Sequence, residues 1–343
     1  MLNFSVKVYP QIIWGDKYQA NYPALVDDLS KAGISNLIVP AFQGSRIFFS
    51  QEVDATPNPW DLRQLRTACQ DRQIGFAVEF PVFHDRDAFD KFAELQPRSP
   101  SGEVYETAGW YRPVCPSNEG YAQHRLHLIQ GALRALQPSL ALLNFLWYPY
   151  WPVRGGWPKL GSQASTFCFC DNCRHRFTEQ TGLQNAAQDV EAWFAFRSNV
   201  LADHLADIEE LTQALPAPPV LIAELPPVPT PHAAERLRRL TGIHLVAWRR
   251  LASVISPQLF YNECGQPLQW AVEVLDELKA FEYSIFPQID LPPASSFKTE
   301  MRAELHAFLK SIEALGIGAI VIHSWNTLHE LPELVELFAS FSA

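Results

Sequence analysis

The sequence predicts an α/β protein built as a single (β/α)8 TIM barrel, and three observations lead to this fold class. Short runs rich in β-branched and aromatic residues recur along the chain, and amphipathic stretches with helical spacing lie between most of them. Continuous apolar strands that alternate with helices are typical of parallel strands buried on both faces. The runs number eight, and eight parallel strands are enough for such a sheet to close into a barrel.

The predicted strands are separated by stretches with the composition of surface helices. Examples are "YPALVDDLSKAGI", "HRLHLIQGALRALQP" and "MRAELHAFLKSIEALG", and several such stretches end at a glycine or a proline, as helices often do. The alternative fold, a doubly wound dinucleotide-binding sheet, would require a Gly-x-Gly-x-x-Gly motif after an early strand, and the sequence contains none. In chain order, the predicted strands span residues 5–14, 36–42, 74–83, 140–148, 220–225, 258–262, 283–289 and 317–325.

Insertions account for the length of the chain. A barrel of ordinary size takes about 250 residues, so a single domain over residues 1–343 leaves roughly 90 residues for its loops. We expect one rim insertion at 84–114, after the third strand, and a second at 149–184, after the fourth strand, which carries a cluster of cysteines. A proline-rich segment, 225–231, follows the fifth strand. Since all three follow strands, they are predicted to lie at the C-terminal rim, where barrel enzymes keep their active sites.

Composition and charge exclude several classes of partner. The formal net charge is −10 and lysine and arginine are not clustered, whereas phosphate binding needs clustered cations. No stretch approaches the ~18 apolar residues of a membrane span. The N-terminal "MLNFSVKVYPQIIWG" lacks the basic segment, apolar run and cleavage site of a signal peptide. We therefore expect a soluble, cytoplasmic protein with neither nucleic acid nor membrane as a partner.

Three of the six cysteines stand close together in "TFCFCDNCRHRF", as Cys168, Cys170 and Cys173. In a reducing compartment this spacing favours a metal site over a disulfide. Zinc in structural sites takes four thiolate or imidazole ligands in a tetrahedron. Cys115, in "RPVCPSN", is the best candidate for the fourth ligand, and His175 is its competitor. The sequence thus predicts a structural zinc that joins the two rim insertions, against the alternative of buried thiols without a metal.

The chain resembles (β/α)8 glycoside hydrolases, in particular the zinc-bearing β-galactosidases of family 42 and uncharacterised bacterial glycosidase-like barrels. The resemblance is carried by Cys115 together with the segment "FCFCDNCRHRFTEQTG", and by "WFAFR" at residues 193–197. It covers residues 110–200 well and the remainder of the chain only in the order of its strands. It implies a four-cysteine zinc site and a carbohydrate substrate, either an oligosaccharide or a glycoside.

The fourth strand departs from the pattern of these relatives. In "LLNFLWYP", Asn144 stands where their pattern has aspartate and Trp147 stands where it has arginine, and the Asn-Glu pair of the retaining β-galactosidases is missing. Two readings therefore stay open: a glycoside hydrolase-like enzyme, or a carbohydrate-binding barrel that has lost catalysis. A third, a barrel enzyme of other chemistry such as a lyase or isomerase, is left open by the fold, which hosts many reactions.

Catalytic candidates follow from the chemistry of glycosidic bonds, which are normally cleaved between two carboxyl groups. Glu224, in an apolar strand, is predicted to be desolvated and to act as the general acid, with a structural ion pair to an arginine as the alternative. Asp290 is predicted to be the ionised partner, because the resembled β-galactosidases carry the nucleophile at the end of strand seven; its alternative is a loop cap. Glu79 is a third candidate, and Glu263 is expected to face solvent.

Aromatic and amide side chains near the strand ends supply candidates for sugar binding. "FLWYPYWPVRGGW" concentrates rings, including Trp157, on the loop after the fourth strand. Aromatic rings stack on the C–H faces of sugars, and amide and imidazole groups bind the hydroxyls; the alternative for each ring is packing in the core. Many rings with few cations favour a neutral carbohydrate. The predicted substrate-binding residues are Asn144, Trp147, Tyr148, Trp151, Tyr261, Asn262, Gln288, His323 and Trp325.

Overall fold

The structure is a computed structural model that describes residues 2–49, 60–105, 109–151 and 167–342. Eight parallel strands form a closed barrel, in which the first strand pairs with the second and the eighth, and the sixth pairs with the seventh. The predicted fold class is therefore confirmed. The strands are β1 (Asn3–Lys7), β2 (Ile34–Pro40), β3 (Gly75–Pro81), β4 (Leu140–Asn144), β5 (Val220–Leu225), β6 (Val254–Leu259), β7 (Gln288–Asp290) and β8 (Ala319–His323).

In the part of the chain that the structure describes, eight helices are ten residues or longer. They are α1 (Tyr22–Lys31), α2 (Leu62–Asp71), α3 (Glu119–Leu136), α4 (Asp171–Thr181), α5 (Val190–Gln213), α6 (Leu268–Lys279), α7 (Thr299–Ala314) and α8 (Pro332–Ser342). Shorter helical turns are Pro10–Ile13, Arg86–Lys91, Ala93–Leu95, Ala233–Arg236, Leu237–Thr241, Leu245–Trp248, Ala294–Ser296 and Trp325–Leu328. A two-residue strand, Ser284–Ile285, extends the sheet beside β6, and Phe42–Gln43 pairs with Arg46–Ile47 in a small hairpin. None of the described helices combines the length and apolar character needed to cross a bilayer.

Local chemistry explains where the strands depart from their predicted bounds. The strand predicted at 5–14 ends at Lys7, because Pro10 starts a short helix at the position where the missing N–H of proline does no harm. The strand predicted at 258–262 begins at Val254 and contains Pro257, a residue that sequence rules keep out of strands. β5 has the predicted bounds of Val220 to Leu225.

The inside of the barrel changes character along its axis. Its lower part is filled by a small apolar cluster from five strands and the residue after Ser284–Ile285: Ile38, Ala77, Leu142, Ile222, Val321 and Phe286. Towards the C-terminal ends of the strands, buried polar residues replace them: Lys7, Glu79, Asn144, Glu224, Gln258 and Gln288. Since side chains two apart along a strand share a face, Glu79 lies directly above Ala77 and Glu224 directly above Ile222. The polar layer thus sits under the rim.

The long connections after β3 and β4 carry the predicted rim insertions. The chain between β3 and α3 includes the turns Arg86–Lys91 and Ala93–Leu95, and the chain between β4 and α5 includes α4. Residues 106–108 of the first predicted insertion and 152–166 of the second, with Trp157, lie outside the described residues. The bounds 84–114 and 149–184, and the single-domain extent, stay predictions.

Candidate active site and metal centre

A cavity of about 460 Å³ opens at the C-terminal ends of the barrel strands. Six of the polar residues that line it lie on or directly after β1, β3, β4, β6 and β8: Tyr9, Glu79, Asn144, Gln258, Glu263 and His323. Aromatic side chains and the hairpin after β2 form the walls. This is the place where barrel enzymes hold their substrates.

Glu79 is the best-connected carboxyl group of the cavity. Its Oε1 accepts a hydrogen bond from Asn144 Nδ2 at 2.5 Å, and its Oε2 lies 3.2 Å from Lys7 Nζ. The Asn144 oxygen accepts in turn from Gln258 Nε2 at 3.1 Å and from the Phe145 N–H at 2.8 Å. These contacts fix the orientation of the Asn144 amide, with its nitrogen toward Glu79. An aspartate at position 144 would be unable to make that donation.

Glu224 lies beneath the cavity and does not line it. It is fully buried, and Lys7 Nζ lies 2.9 and 3.0 Å from its two carboxyl oxygens, while Gln258 Nε2 donates to it at 2.8 Å. Burial raises the pKa of Glu224, and the Lys7 ammonium opposes that shift. Burial alone would lower the pKa of Lys7, but the charges of Glu224 and Glu79 together raise it. Glu224 thus forms the ion pair that is the alternative to a catalytic role, with a lysine in place of the expected arginine.

Asp290 also lies behind the cavity wall, where it holds the segment after β6. Its two carboxyl oxygens accept the backbone N–H groups of Asn262 at 3.1 Å and Glu263 at 2.7 Å. Burial raises the pKa of Asp290 to about 7, against the effect of these hydrogen bonds. The catalytic roles predicted for Glu224 and Asp290 stay predictions, since neither carboxyl group is part of the cavity lining.

Glu263 faces the cavity and not, as expected, bulk solvent. Its Oε1 accepts a hydrogen bond from Trp151 Nε1 at 3.1 Å, and burial raises the pKa of its carboxyl group. The sequence does not predict this placement, because it depends on Asp290, which binds the Glu263 backbone from 27 residues away. The cavity therefore contains two carboxyl groups in contrasting surroundings, with Glu79 beside a lysine and Glu263 beside an indole.

Two histidines in the lining are uncharged near neutral pH. Burial lowers the pKa of His84 to about 4 and that of His323 to about 3. His84 Nδ1 accepts the Arg112 backbone N–H at 3.1 Å, so the ring proton of the neutral form lies on Nε2. His323 Nε2 lies 2.8 Å from the hydroxyl of Tyr9. Tyr9, two residues after β1, was not predicted as a site residue.

An aromatic wall flanks the cavity. Trp110, whose side chain is half exposed, packs edge-on against Trp151 with ring centroids 4.9 Å apart. Tyr111 stacks on Phe145 at 5.6 Å and lies 5.8 Å from Trp151. Trp110 was also missed, because it stands in a turn-rich stretch of the first predicted insertion. The exposed indole offers a flat surface on which the C–H face of a sugar can stack.

The structure places some of the residues predicted to bind substrate in the cavity lining and others outside it. Three line the cavity: Asn144, Trp151 and His323. The remaining six are not among the described lining residues: Trp147, Tyr148, Tyr261, Asn262, Gln288 and Trp325. Trp325 Nε1 donates to the Tyr18 hydroxyl at 3.1 Å, and Gln288 Nε2 donates to Ser256 Oγ at 2.9 Å, so both are occupied in the core. Their roles toward substrate stay predictions.

The four predicted cysteine ligands come together at the rim. All four are buried, and their sulfur atoms lie within 4.8 Å of one another: Cys115, Cys168, Cys170 and Cys173. The Cys115 sulfur is 3.4 Å from those of Cys170 and Cys173. Zinc–sulfur bonds of about 2.3 Å in a tetrahedron place the sulfur atoms about 3.8 Å apart, so the cluster has the dimensions of a metal site. The competitor His175 is largely exposed and pairs with Glu179 instead.

Aromatic contacts connect this cluster to the cavity. Phe167, the residue before Cys168, packs edge-on against Tyr105 at 4.9 Å, and Tyr105 packs against Tyr111 at 6.0 Å. Tyr111 belongs to the cavity wall through Phe145 and lies four residues before Cys115. A series of packed aromatic rings therefore joins the cysteine cluster to the cavity wall.

Comparisons with known proteins identify the architecture. No family model and no curated protein sequence matches the chain. Among solved structures, the PgaB (BpsB) glycoside hydrolase domain of Bordetella bronchiseptica is similar with a TM-score of 0.75 at 12% identity, covering 98% of both chains. The resemblance to glycoside hydrolase barrels is confirmed. At this identity it shows the fold alone.

Two β-galactosidases share the same barrel. The enzyme of the haloarchaeon Halorubrum lacusprofundi matches with a TM-score of 0.67 at 11% identity, and that of Bacillus circulans sp. alkalophilus with 0.63 at 12%. Each match covers 94% of this chain, which spans about half the length of either galactosidase, 53% and 50%. The shared part is thus the barrel, without the remainder of those proteins.

Proposed function

We propose that the protein is a glycoside hydrolase-like enzyme that acts on an oligosaccharide or glycoside. One observation carries the proposal: the cavity at the C-terminal rim holds two carboxyl groups in contrasting surroundings, Glu79 facing the Lys7 ammonium and Glu263 facing the Trp151 indole, and burial raises the pKa of Glu263. Glycoside hydrolysis needs one protonated and one ionised carboxyl group across the scissile bond. The aromatic wall and the neutral histidines suit an uncharged sugar, and the structural neighbours named as glycoside hydrolases share the barrel.

In the proposed mechanism, Glu263 is the general acid. Burial raises the pKa of its carboxyl group, so it can carry a proton to the glycosidic oxygen as the bond breaks. Glu79 is the ionised partner, since the Lys7 ammonium and the Asn144 amide both face its oxygens. It attacks the anomeric carbon or activates a water molecule. The separation of the two carboxyl groups with substrate bound sets the outcome, with about 5 Å giving retention and about 6.5–9.5 Å inversion.

Glu224 and Asp290 have supporting roles in this proposal. Glu224 holds Lys7 in place beneath Glu79, and Asp290 holds the backbone that carries Glu263. If either acts directly instead, as the sequence predicts, its substrate must reach below or behind the described lining. Kinetics on variants distinguishes the two assignments.

Glycosides with different leaving groups test the assignment of the acid. A good leaving group such as dinitrophenolate needs no proton, whereas an alkoxide does. We expect Glu263→Gln to lower kcat/KM for alkyl glycosides by about 10²–10⁴-fold while sparing dinitrophenyl glycosides. Glu79→Gln should lower both alike. Loss with both substrate types in Glu224→Gln or Asp290→Asn, with Glu263→Gln fully active, would contradict the proposed pair.

A second candidate function, a carbohydrate-binding barrel without catalysis, is favoured by Asn144. Its amide bridges Glu79 and Gln258, which occupies Glu79 in a network of hydrogen bonds. Sugar binding by the wild type without turnover of any glycoside would support this function. In that case Asn144→Asp, which restores the carboxylate of the resembled pattern, should produce activity. In the enzyme, the same variant should lower activity because it places a second charge beside Glu79.

We propose zinc as the metal of the four-cysteine site and the cytoplasm as the compartment. Four thiolates fit zinc in a closed structural site, which leaves no open position for substrate. A reducing compartment keeps the thiols available as ligands. Zinc would supply the attraction that holds the segment after β3 to the start of α4, while the carboxyl groups perform the chemistry. Elemental analysis should give about one zinc per chain.

A further inference from the structure

Arg197, in the middle of α5, is a buried cation without a carboxylate partner among the described residues. Its side chain is fully buried. Its guanidinium donates to three backbone carbonyls: Phe167 at 2.8 Å, Arg239 at 3.0 Å and Leu240 at 3.0 Å. Carbonyls orient a guanidinium but carry no net charge. An unpaired charge in an apolar interior is strongly unfavourable, so its position calls for an anion nearby.

The four-cysteine cluster, which would be anionic around a bound metal, is connected to Arg197 through contacts of the described residues. The carbonyl of Phe167, which Arg197 binds, belongs to the peptide bond that leads into Cys168. The guanidinium also stacks over the ring of Tyr148, 4.5 Å from its centroid. The Tyr148 hydroxyl is 2.8 Å from Ser117 Oγ, and Ser117 Oγ is 3.2 Å from the Cys173 sulfur. Arg197 is thus connected to the cluster by two routes, one through the Phe167 carbonyl and one through Tyr148 and Ser117.

The charge of the metal-bound cluster explains why a cation is needed there. Four thiolates with one Zn²⁺ carry a net charge of −2, in a site whose four sulfur atoms are all buried. Phe169 and Trp193 stack beside it with ring centroids 4.7 Å apart, so the surroundings are apolar. In such an interior, charges interact far more strongly than in water. Burial lowers the pKa of Arg197, and Tyr148 and the thiols of the cluster are the groups that raise it.

Other positive groups near the cluster are weaker candidates. Arg176 lies partly exposed and faces Glu119 at 3.7 Å, so its charge is shared with a carboxylate. The backbone N–H groups of Arg98 and Cys170 point at the Cys168 sulfur from 3.2 and 3.4 Å, and they supply partial charges only. Of these positive groups, Arg197 is the one that is both fully buried and fully charged.

The geometry points to Arg197 as the counter-ion of the metal–thiolate centre, a positioning residue that sets the affinity of the site for its metal. This role rests on the proposed zinc site and goes beyond it, because it assigns the charge balance to a residue on another helix. Groups that surround a metal's own ligands typically change metal affinity by about 10–100-fold. Arg197 binds no metal itself.

Metal affinity measured by competition with a chromogenic chelator tests this role, using Zn²⁺ and the spectroscopic probe Co²⁺. Arg197→Gln removes the charge and keeps N–H donors, whereas Arg197→Lys keeps the charge. We expect Arg197→Gln to weaken binding of both metals by about 10–100-fold and Arg197→Lys to retain most of the affinity. Arg125→Gln is the matched control: Arg125 is equally buried but pairs with Asp85, away from the cysteines, so that variant should lower stability and leave metal affinity unchanged.

Two outcomes would overturn the role of Arg197. Unchanged affinity in Arg197→Gln would show that the charge is irrelevant, and equal weakening in Arg197→Gln and Arg197→Lys would show that the carbonyl contacts alone matter. If Arg197→Gln fails to fold, Arg197→Met supplies the uncharged variant with a side chain of similar reach. Wild-type protein that binds neither metal would overturn the metal centre itself, a result distinct from the other two.

Discussion

Two groups of acidic side chains, carboxyl groups and thiols, are buried near the same rim, and they differ in where their counter-charge comes from. The buried polar layer beneath the cavity, here called the barrel floor, contains Lys7, Glu79 and Glu224. Lys7 Nζ lies 2.9 Å from Glu224 and 3.2 Å from Glu79, so the chain itself supplies a counter-charge for these carboxyl groups. In the four-cysteine cluster, the sulfur atoms lie within 4.8 Å of one another, and most of the proposed counter-charge is a metal ion from solution. The floor therefore has its counter-charge once the chain folds, whereas the cluster, in the proposed metal centre, would take most of its counter-charge from the bound ion.

The largest expected effect comes from removing the internal cation of the floor. Lys7→Met leaves two buried carboxyl groups side by side without compensation, and breaking a buried ion pair typically costs about 3–5 kcal/mol. We expect a loss of this size in the free energy of unfolding, measured by denaturation with urea. The double variant Lys7→Met with Glu224→Gln removes one carboxylate as well and should recover part of the loss. A single variant as stable as the wild type would show that the floor needs no lysine.

Removing the metal tests whether the four-cysteine cluster is stabilised by a bound ion. At a free zinc concentration about 100-fold above the dissociation constant, binding to the folded state contributes about 2.7 kcal/mol, and a chelator should abolish that contribution. Cys170→Ser should show no zinc-dependent shift in its unfolding midpoint. Cys264→Ser, which alters a buried cysteine outside the cluster, should keep the shift of the wild type. A zinc response in Cys170→Ser equal to that of the wild type would argue against the centre.

The two regions also differ in how far the sequence predicts them. Three of the four cysteines lie within six residues of one another, and metal-ligand spacing is a local signal, so the cluster was predicted with its distant member, Cys115. The fold followed from periodicity in the same way. On the floor, the carboxyl groups were identified as candidates, but their neighbours depend on contacts such as that of Lys7 with Glu224, 217 residues apart.

Particular residues show what a local signal leaves out. Lys7 stands alone in the apolar run "FSVKVYP", and an isolated lysine in such a run indicates a buried partner that periodicity cannot name. Glu263 follows a strand that was predicted four residues too late, because Pro257 lies inside β6. Its direction is then fixed by Asp290, from the next strand of the barrel. Which acid faces the cavity is thus decided by the tertiary structure.

Asp290 is a third kind of buried acid, because backbone N–H groups hold its carboxyl group in place of a lysine or a metal. Its pKa is raised to about 7 in the folded state, mainly by burial, against about 3.9 in the unfolded chain. The folded protein therefore binds a proton that the unfolded chain has released, so this contribution to stability is full below pH about 4 and is lost as the pH rises to about 7.

The variant Asp290→Asn, which does not titrate, is the reference for this effect. We expect the free energy of unfolding of the wild type, minus that of the variant, to fall by about 3 kcal/mol between pH 4 and 7 and to level off above pH about 8. Denaturation at a series of pH values measures the difference. A difference that rises with pH would mean that the backbone hydrogen bonds outweigh burial at this carboxyl group.

The smallest effect on folding is expected at Trp110, which neutralises no charge and belongs to the rim alone. Its side chain is 49% exposed at the edge of the cavity, so Trp110→Ala should lower the free energy of unfolding by only about 1 kcal/mol, from its lost ring contact with Trp151. Loss of a stacking ring should weaken sugar binding by about 1 kcal/mol, seen as a higher KM for the glycoside that the wild type hydrolyses best. Phe92→Ala, which removes a ring of similar exposure outside the cavity lining, is the matched control and should leave KM unchanged. An unchanged KM in Trp110→Ala would contradict stacking on this ring and would indicate that the sugar binds deeper, against Trp151 and the floor. The residues that bind the sugar would then belong to the charged layer that also stabilises the barrel.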